Sequence, residues 1–351
     1  SVTLKRGSTA YSLIGVRSGA TLILGDGAIA YTDSTLEESA KQGNYEVSQA
    51  GGKLVLDGGA VWQKGAAFDK ATPNFSGNTN GKSAVFYDEA DETQYVYSNT
   101  GMTSTETLIS NNGRLDIWGD TTLQNNAKTS NCGAAIYSAN QSNLNLYGGE
   151  IKRCATAGNA DAGHGAVFVG TESGDWTNKY ATAVATFQMY GGKITNNTAS
   201  GHGFTDGGGV ALNQAAMKLY GGEVSYNMAG TKNGSSAGDG GGIMVRIGSV
   251  LDMYGGSVNH NHAGGYGGGI VAWNGDVNIH GGNVENNTAA WGAGVGISAS
   301  YGKNSSSATS YVTMDGGFVR YNEAIAVNGN GGFGGGICAG SGTFMQGAHL
   351  E

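Results

Sequence analysis

The tripeptide Tyr-Gly-Gly keeps returning in the later part of this chain, and its spacing limits what the chain can fold into. It stands at Tyr147-Gly148-Gly149, Tyr190-Gly191-Gly192, Tyr220-Gly221-Gly222 and Tyr254-Gly255-Gly256, then in variant form at His280-Gly281-Gly282, Asp315-Gly316-Gly317 and Gln346-Gly347-Ala348. The intervals are 43, 30, 34, 26, 35 and 31 residues, each the length of one supersecondary unit. Two apolar residues at alternate positions precede the glycines: Leu144/Leu146, Phe187/Met189, Met217/Leu219, Leu251/Met253, Val277/Ile279 and Val312/Met314. Alternation with period two predicts a short strand with one buried face. Another apolar residue follows the glycines, with an asparagine three places on: Ile194/Asn197, Val224/Asn227, Val258/Asn261, Val284/Asn287 and Val319/Asn322. Cys154 fills that slot behind Ile151.

After a polar stretch of variable length, each unit closes on a small-residue turn and a second alternating strand. The copies read CGAAIYS, HGAVFV, DGGGVAL, DGGGIMV, YGGGIVA, WGAGVGI and FGGGICA. About three short strands per unit, with length variation confined to one or two turns, predict an all-β parallel β-helix, a solenoid in which each coil pairs with the next. Weaker copies in TLILGDGAIAY, KLVLDGGAVWQ and RLDIWGDTTLQNN extend the signal to the N-terminus. Residues 1–351 therefore read as one domain of roughly ten coils. Coils before residue 115 are irregular and carry an insertion at about 65–110, and those of 115–351 are regular.

The apolar-x-x-Asn-x-Ala phrase followed by Gly-Gly-Gly/Ala-aliphatic resembles the right-handed β-helix repeats of bacterial cell-surface and adhesin-type proteins, especially those of gut Gram-positive bacteria. FSGN at 75–78 and GAVF at 165–168 are also similar to the short repeats of chlamydial polymorphic membrane proteins. The resemblance implies a right-handed solenoid, an extracellular or cell-surface location and adhesive contact with carbohydrate or glycoprotein. At the level of the fold, the chain is also similar to β-helix glycosidases of the lacto-N-biosidase type, which act on milk and mucin oligosaccharides.

Composition narrows the partners. The net charge of −8 disfavours nucleic acid, which is held by neutralising phosphates, and makes a strongly anionic polysaccharide a poor ligand. With 65 glycines but 39% hydrophobic residues, the chain is neither collagen nor a disordered polyampholyte. Three scattered cysteines, Cys132, Cys154 and Cys338, form no disulfide framework or zinc motif. His260 and His262 in NHNHA lack a recognisable third ligand, and no helix follows the glycine runs to make a phosphate loop. No apolar run of membrane-spanning length occurs, so no membrane insertion is expected. Ser1 and the terminal Leu350-Glu351 suggest part of a longer surface protein.

In a solenoid, equivalent residues of successive coils stack about 4.8 Å apart. The asparagine slot, with Asn126 and Asn78 added, is then expected to form an internal amide ladder, and Tyr147, Tyr190, Tyr220, Tyr254 and His280 an aromatic stack on one edge. The position ahead of the glycine triplet reads Cys132, Gly163, Asp206, Asp239, Tyr266, Trp291 and Phe333. A slot that changes from small to acidic to aromatic differs from a ladder that repeats one residue type. Asp206 and Asp239 fall in adjacent coils, where carboxylates about 5 Å apart would suit a retaining glycoside hydrolase, one pKa driven up by the other's charge. Asn213, Arg246 and Trp273 at the end of the following strand, Phe168, Met244 and Val271 between its inward residues, and His164 and His202 at the rim would complete a groove for a neutral sugar. The substrate-binding set is thus His164, Asn213, Arg246, Tyr266, Trp273 and Trp291, with Asp206 and Asp239 as candidate catalytic acids. Three roles stay open for the aspartates: local turn formers, contacts to a glycan or Ca²⁺, or catalysts. No other cofactor is expected.

Overall fold

The alternating apolar pairs become strands because both members of each pair can be buried at once only if every coil lies in register on the last. In the computed structural model, Leu144 pairs with Phe187, Phe187 with Met217, Met217 with Leu251, Leu251 with Val277 and Val277 with Val312, all in parallel. The structure describes residues 2–5, 11–25, 44–47, 53–60, 62–67, 83–88, 93–98, 106–128, 132–139, 141–156, 163–171, 185–201, 205–231, 238–298, 310–326, 331–339 and 344–346. Among them there is no helix, and parallel ladders of ten, nine, seven and nine strands stack coil on coil, the ten-stranded and both nine-stranded ladders sharing one continuous apolar core. The chain is thus a parallel β-helix-type solenoid.

Each coil runs through the ladders in a fixed order. The pre-glycine strand (Ala215–Leu219 in one coil) leads through the glycine turn to the post-glycine strand (Glu223–Ser225). After the asparagine corner comes a short strand, Met228–Thr231 here and only two residues long in several coils. The triplet turn then opens the triplet strand, Ile243–Val245, which returns the chain to the next pre-glycine strand, Val250–Met253. The post-asparagine ladder is a fourth wall where three strands per unit were expected. Its alternation is too short to read from sequence, since a single buried alanine (Ala199, Ala229, Ala263 or Ala289) marks each rung, and Ala263 and Ala289 pack with Ala293 in a small cluster of their own.

The asparagine ladder holds the corner. The Oδ1 of Asn227 accepts from both the backbone N–H and the side-chain amide of Asn197, at 3.1 and 3.0 Å, and the Nδ2 of Asn227 donates to the Ile194 carbonyl at 2.8 Å. The pattern repeats from Asn227 to Asn261, Asn261 to Asn287 and Asn287 to Asn322. Asn126 is buried but bonds the Glu106 and Ala134 carbonyls, because Cys154 interrupts the row between it and Asn197. Asn78 lies outside the described residues. The residue just before the slot is left-handed in seven successive coils, from Asn125 (φ 55°) through Tyr226 (φ 53°) to Tyr321 (φ 54°). Such a conformation costs a non-glycine residue about 1–2 kcal/mol, and the amide network offsets it.

The DGGG phrase has an equally local cause. Gly207 turns the chain at φ +66°, and a Cβ on Gly208 would lie 2.3 Å from the Met228 carbonyl oxygen. One glycine is needed for the turn and the next for close packing against a neighbouring wall.

The N-terminal part departs from simple winding. Asn44–Val47 turns back to pair with the outer edge of Thr21–Leu24, while Leu54–Asp57 continues the post-glycine ladder between Val2–Lys5 and Thr121–Gln124. Within and beside the expected insertion, Trp62–Ala67, Ser83–Asp88 and Thr93–Ser98 form a separate antiparallel sheet.

Candidate functional site: a buried acid–arginine cluster beside an aromatic strip

The triplet strands have two faces. Val167, Val210, Ile243 and Ile270 point into the main core, while Phe168, Ala211, Met244 and Val271 point the other way and pack with Cys132 into a second, smaller core. The positions expected to line a groove are thus fully buried packing residues, because the triplet turn folds back over this face of the sheet.

The residues at that turn stack in one row. Cys132 pairs with His164, His164 with Asp206, and Asp206 with Asp239; Tyr266 pairs with Trp291 and Trp291 with Phe333. Asp239 and Tyr266 join the two halves, since the Tyr266 N–H donates to the Asp239 Oδ1 at 2.7 Å and the Gly240 N–H to the Tyr266 carbonyl at 2.8 Å. One expected position needs correction: His164, and not Gly163, occupies this row. Counting back four residues from Val167 lands on Gly163, but this coil's turn is one residue shorter than Asp206-Gly207-Gly208-Gly209-Val210. His164 therefore moves from the rim to the centre, 2% exposed. His202 lies outside the described residues.

Arg246 reaches into the row from the end of a triplet strand and is itself 2% exposed. Its Nη1 sits 2.6 Å from the His164 Nε2 and 3.8 Å from the Asp206 Oδ2, and its guanidinium carbon lies 4.7 Å from the centre of the Trp273 ring. Because a guanidinium only donates, the His164 Nε2 must accept, so the ring proton rests on Nδ1 and the imidazole is neutral. Burial, and next the Arg246 charge, hold the His164 pKa far below the usual histidine range.

The carboxyls are shifted the opposite way. Burial pushes Asp206 up to about 6, against the pull of Arg246, and burial plus the charge of Asp206 pushes Asp239 up to about 8. Near neutral pH the cluster therefore holds a guanidinium, one carboxylate facing it, one carboxylic acid and a neutral imidazole. Its charges cancel, which is how a buried group of this size avoids the penalty of an unpaired ion.

Of the residues singled out from sequence, the structure gathers His164, Asp206, Asp239, Arg246 and Trp273 into this cluster, with Tyr266 and Trp291 adjoining. Asn213 is buried too, but its amide is committed to the Thr171 carbonyl at 2.5 Å. Cys132, expected at the head of this row but given no functional role, is a rung next to His164 and lies within electrostatic reach of Arg246. With the His164 Nε2 taken by Arg246 and the thiol 1% exposed, the pair has no nucleophile–base geometry.

Solvent meets the row only at its other end. Asp239, Tyr266, Trp273 and Trp291 are half-buried, and Phe333 is 65% exposed. Tyr266 and Trp291 stack at 5.0 Å, and among the described residues no ring contact joins Phe333 to Trp291. The edge row of tyrosines differs, since Trp118, Tyr147, Tyr190, Tyr220, Tyr254 and His280 stack face to face at 3.8–5.2 Å and cover one another's faces. Among the described residues no group of three or more His, Cys, Asp or Glu side chains could hold a metal ion. No protein-family model, curated protein or solved structure matches the chain.

Proposed function

We propose that this chain is a module of an extracellular bacterial surface protein, a right-handed solenoid of roughly ten coils that contacts neutral glycans of host or neighbouring cells. The observation that carries the reading is the solvent-facing end of the turn row, where half-buried Trp291 and exposed Phe333 adjoin Tyr266, Trp273 and Asp239. Aromatic planes beside a few polar groups suit the apolar faces and hydroxyls of an uncharged sugar. A carboxyl held largely protonated near neutral pH can donate to a hydroxyl as well as accept from one. The buried Asp206, His164 and Arg246 brace this rim from behind.

The test is calorimetric titration with neutral mucin-type and milk-type oligosaccharides, using the wild type and a Trp291→Ala/Phe333→Ala double variant. Binding by the wild type that weakens at least tenfold in the variant supports the reading. No binding at millimolar sugar, or binding indifferent to both substitutions, overturns it.

The split acid pair favours one second reading, a retaining glycoside hydrolase with Asp239 as acid and Asp206 as its partner. Against it stands the burial of Asp206, 1% exposed and turned toward Arg246, since a nucleophile must touch the sugar. Saccharide release lost in both Asp206→Asn and Asp239→Asn would establish this second reading over the first.

A further inference from the structure

The edge row of tyrosines has a chemistry that the glycan reading leaves unused. Tyr190, Tyr220 and Tyr254 are 43%, 39% and 45% exposed, among the most exposed large apolar side chains described. Their rings stack in succession, Tyr190 on Tyr220 at 5.0 Å and 10°, and Tyr220 on Tyr254 at 5.2 Å and 12°. Tyr147 precedes them, half-buried, 4.9 Å from Tyr190 and nearly parallel to it. The backbone fixes this spacing. The N–H groups of Tyr190, Tyr220 and Tyr254 each donate at 2.8 Å to a carbonyl of the preceding coil, those of Leu146, Met189 and Leu219.

We propose that this row is an oxidative cross-linking site, at which peroxide acting through a peroxidase joins tyrosines of adjacent coils into dityrosine. The peroxidase takes one electron from each of two phenols, and each phenol releases its hydroxyl proton to solvent. One hydrogen peroxide accepts the two electrons and two protons and leaves as two waters. The two phenoxyl radicals couple through the carbons ortho to oxygen, forming one carbon–carbon bond, and each ortho hydrogen moves to a phenolic oxygen as the rings regain aromaticity. The product is lighter by two hydrogen atoms.

The geometry favours coupling within the row. A phenoxyl formed on one ring has a second phenol held at rung distance, so its partner is present at high effective concentration. In the stacked arrangement the ortho carbons lie side by side, and coupling requires one ring to turn about Cβ–Cγ toward the next, which for Tyr190 breaks the bond its hydroxyl donates to the Gln188 Oε1 at 2.7 Å. The other strongly exposed tyrosines, Tyr11 and Tyr321 at 77% and 73%, stand outside this row. Trp118 and His280 end the row and cannot form the biphenol. Each bond would staple two coils of the solenoid on their outer edge.

The experiment exposes the dilute intact chain to hydrogen peroxide and a haem peroxidase, then isolates the monomer and reads dityrosine fluorescence, intact mass and the linked peptides after digestion. The expected result is a monomer lighter by two hydrogens per link, with links drawn from Tyr147–Tyr190, Tyr190–Tyr220 and Tyr220–Tyr254. Tyr220→Phe keeps the stacked ring but removes the phenol shared by both links, and is expected to lower the monomer signal at least twofold, leaving Tyr147–Tyr190 as the remaining pair. Tyr254→Phe removes only one link and guards against a folding defect in the first variant. Dityrosine confined to dimers and larger species, links that map to tyrosines outside the row, or no dityrosine in intact protein would each overturn the proposal.

Discussion

Replacing Asn227 by alanine tests whether the amide ladder, more than the apolar core, closes each corner. Asn227 is fully buried, and its side chain takes part in four hydrogen bonds: Oδ1 accepts from the Asn197 backbone N–H and amide, while Nδ2 donates to the Ile194 carbonyl and the Asn261 Oδ1. After truncation the Asn197 amide still reaches the Ile151 carbonyl, and the Asn261 Oδ1 still accepts from the Asn227 backbone. The Asn197 N–H and the Ile194 carbonyl lose these side-chain partners. Each buried polar group left unsatisfied costs about 1–3 kcal/mol, so the substitution is expected to destabilise by about 3–5 kcal/mol, including the small cavity. The neighbouring left-handed Asn196 and Tyr226 lose a brace as well. Urea unfolding gives the global cost. Hydrogen exchange read by mass spectrometry locates it, with the expected loss of protection centred on segments around 194–198 and 224–228. A loss below about 1 kcal/mol, or exchange unchanged at these corners, would refute the reasoning and return the stabilisation to the core.

Two other outcomes follow from the same structure. Asp239 has its folded pKa raised to about 8 from an unfolded value near 4, so its stabilising share is complete below the unfolded value and falls away as pH rises through the folded one. His164 and His262 have lowered pKa values and oppose it only below about pH 6.5. Between about pH 6.5 and 8 stability should therefore decline with rising pH, by at most about 1.4 kcal/mol per unit for this proton, and Asp239→Asn should flatten the decline in chemical denaturation. Gly208→Ala, whose new Cβ would meet the Met228 carbonyl oxygen at 2.3 Å, should lower stability by about 2–4 kcal/mol, measured by the midpoint of thermal unfolding.

The architecture was legible because three signals recur together: alternating pairs, a glycine turn and the asparagine, which Cys154 replaces in one coil. The fourth wall was not, since a two-residue strand such as Ala155–Thr156 or Thr288–Ala289 carries too little alternation to register. Asp206 and Asp239 could be placed in adjacent coils from sequence alone, because both stand before three glycines. His164 could not be placed correctly, because the shortened turn His164-Gly165-Ala166 breaks the count by one. That Asp206 would be sealed from solvent was also hidden. Burial there depends on how the turn folds over Phe168, Ala211 and Met244, which is a matter of tertiary packing.

The stacking of coils has a mechanical consequence. A rung advances the solenoid by only about 4.8 Å along its axis. The coil that makes the rung holds some 26 to 43 residues, as the Tyr-Gly-Gly spacing shows. Pulled straight at about 3.4 Å per residue, one coil would yield roughly 90–145 Å. Under tension the molecule would lengthen in large steps, one coil peeling at a time. Each lost rung would release roughly twenty- to thirtyfold more length than it spanned when folded.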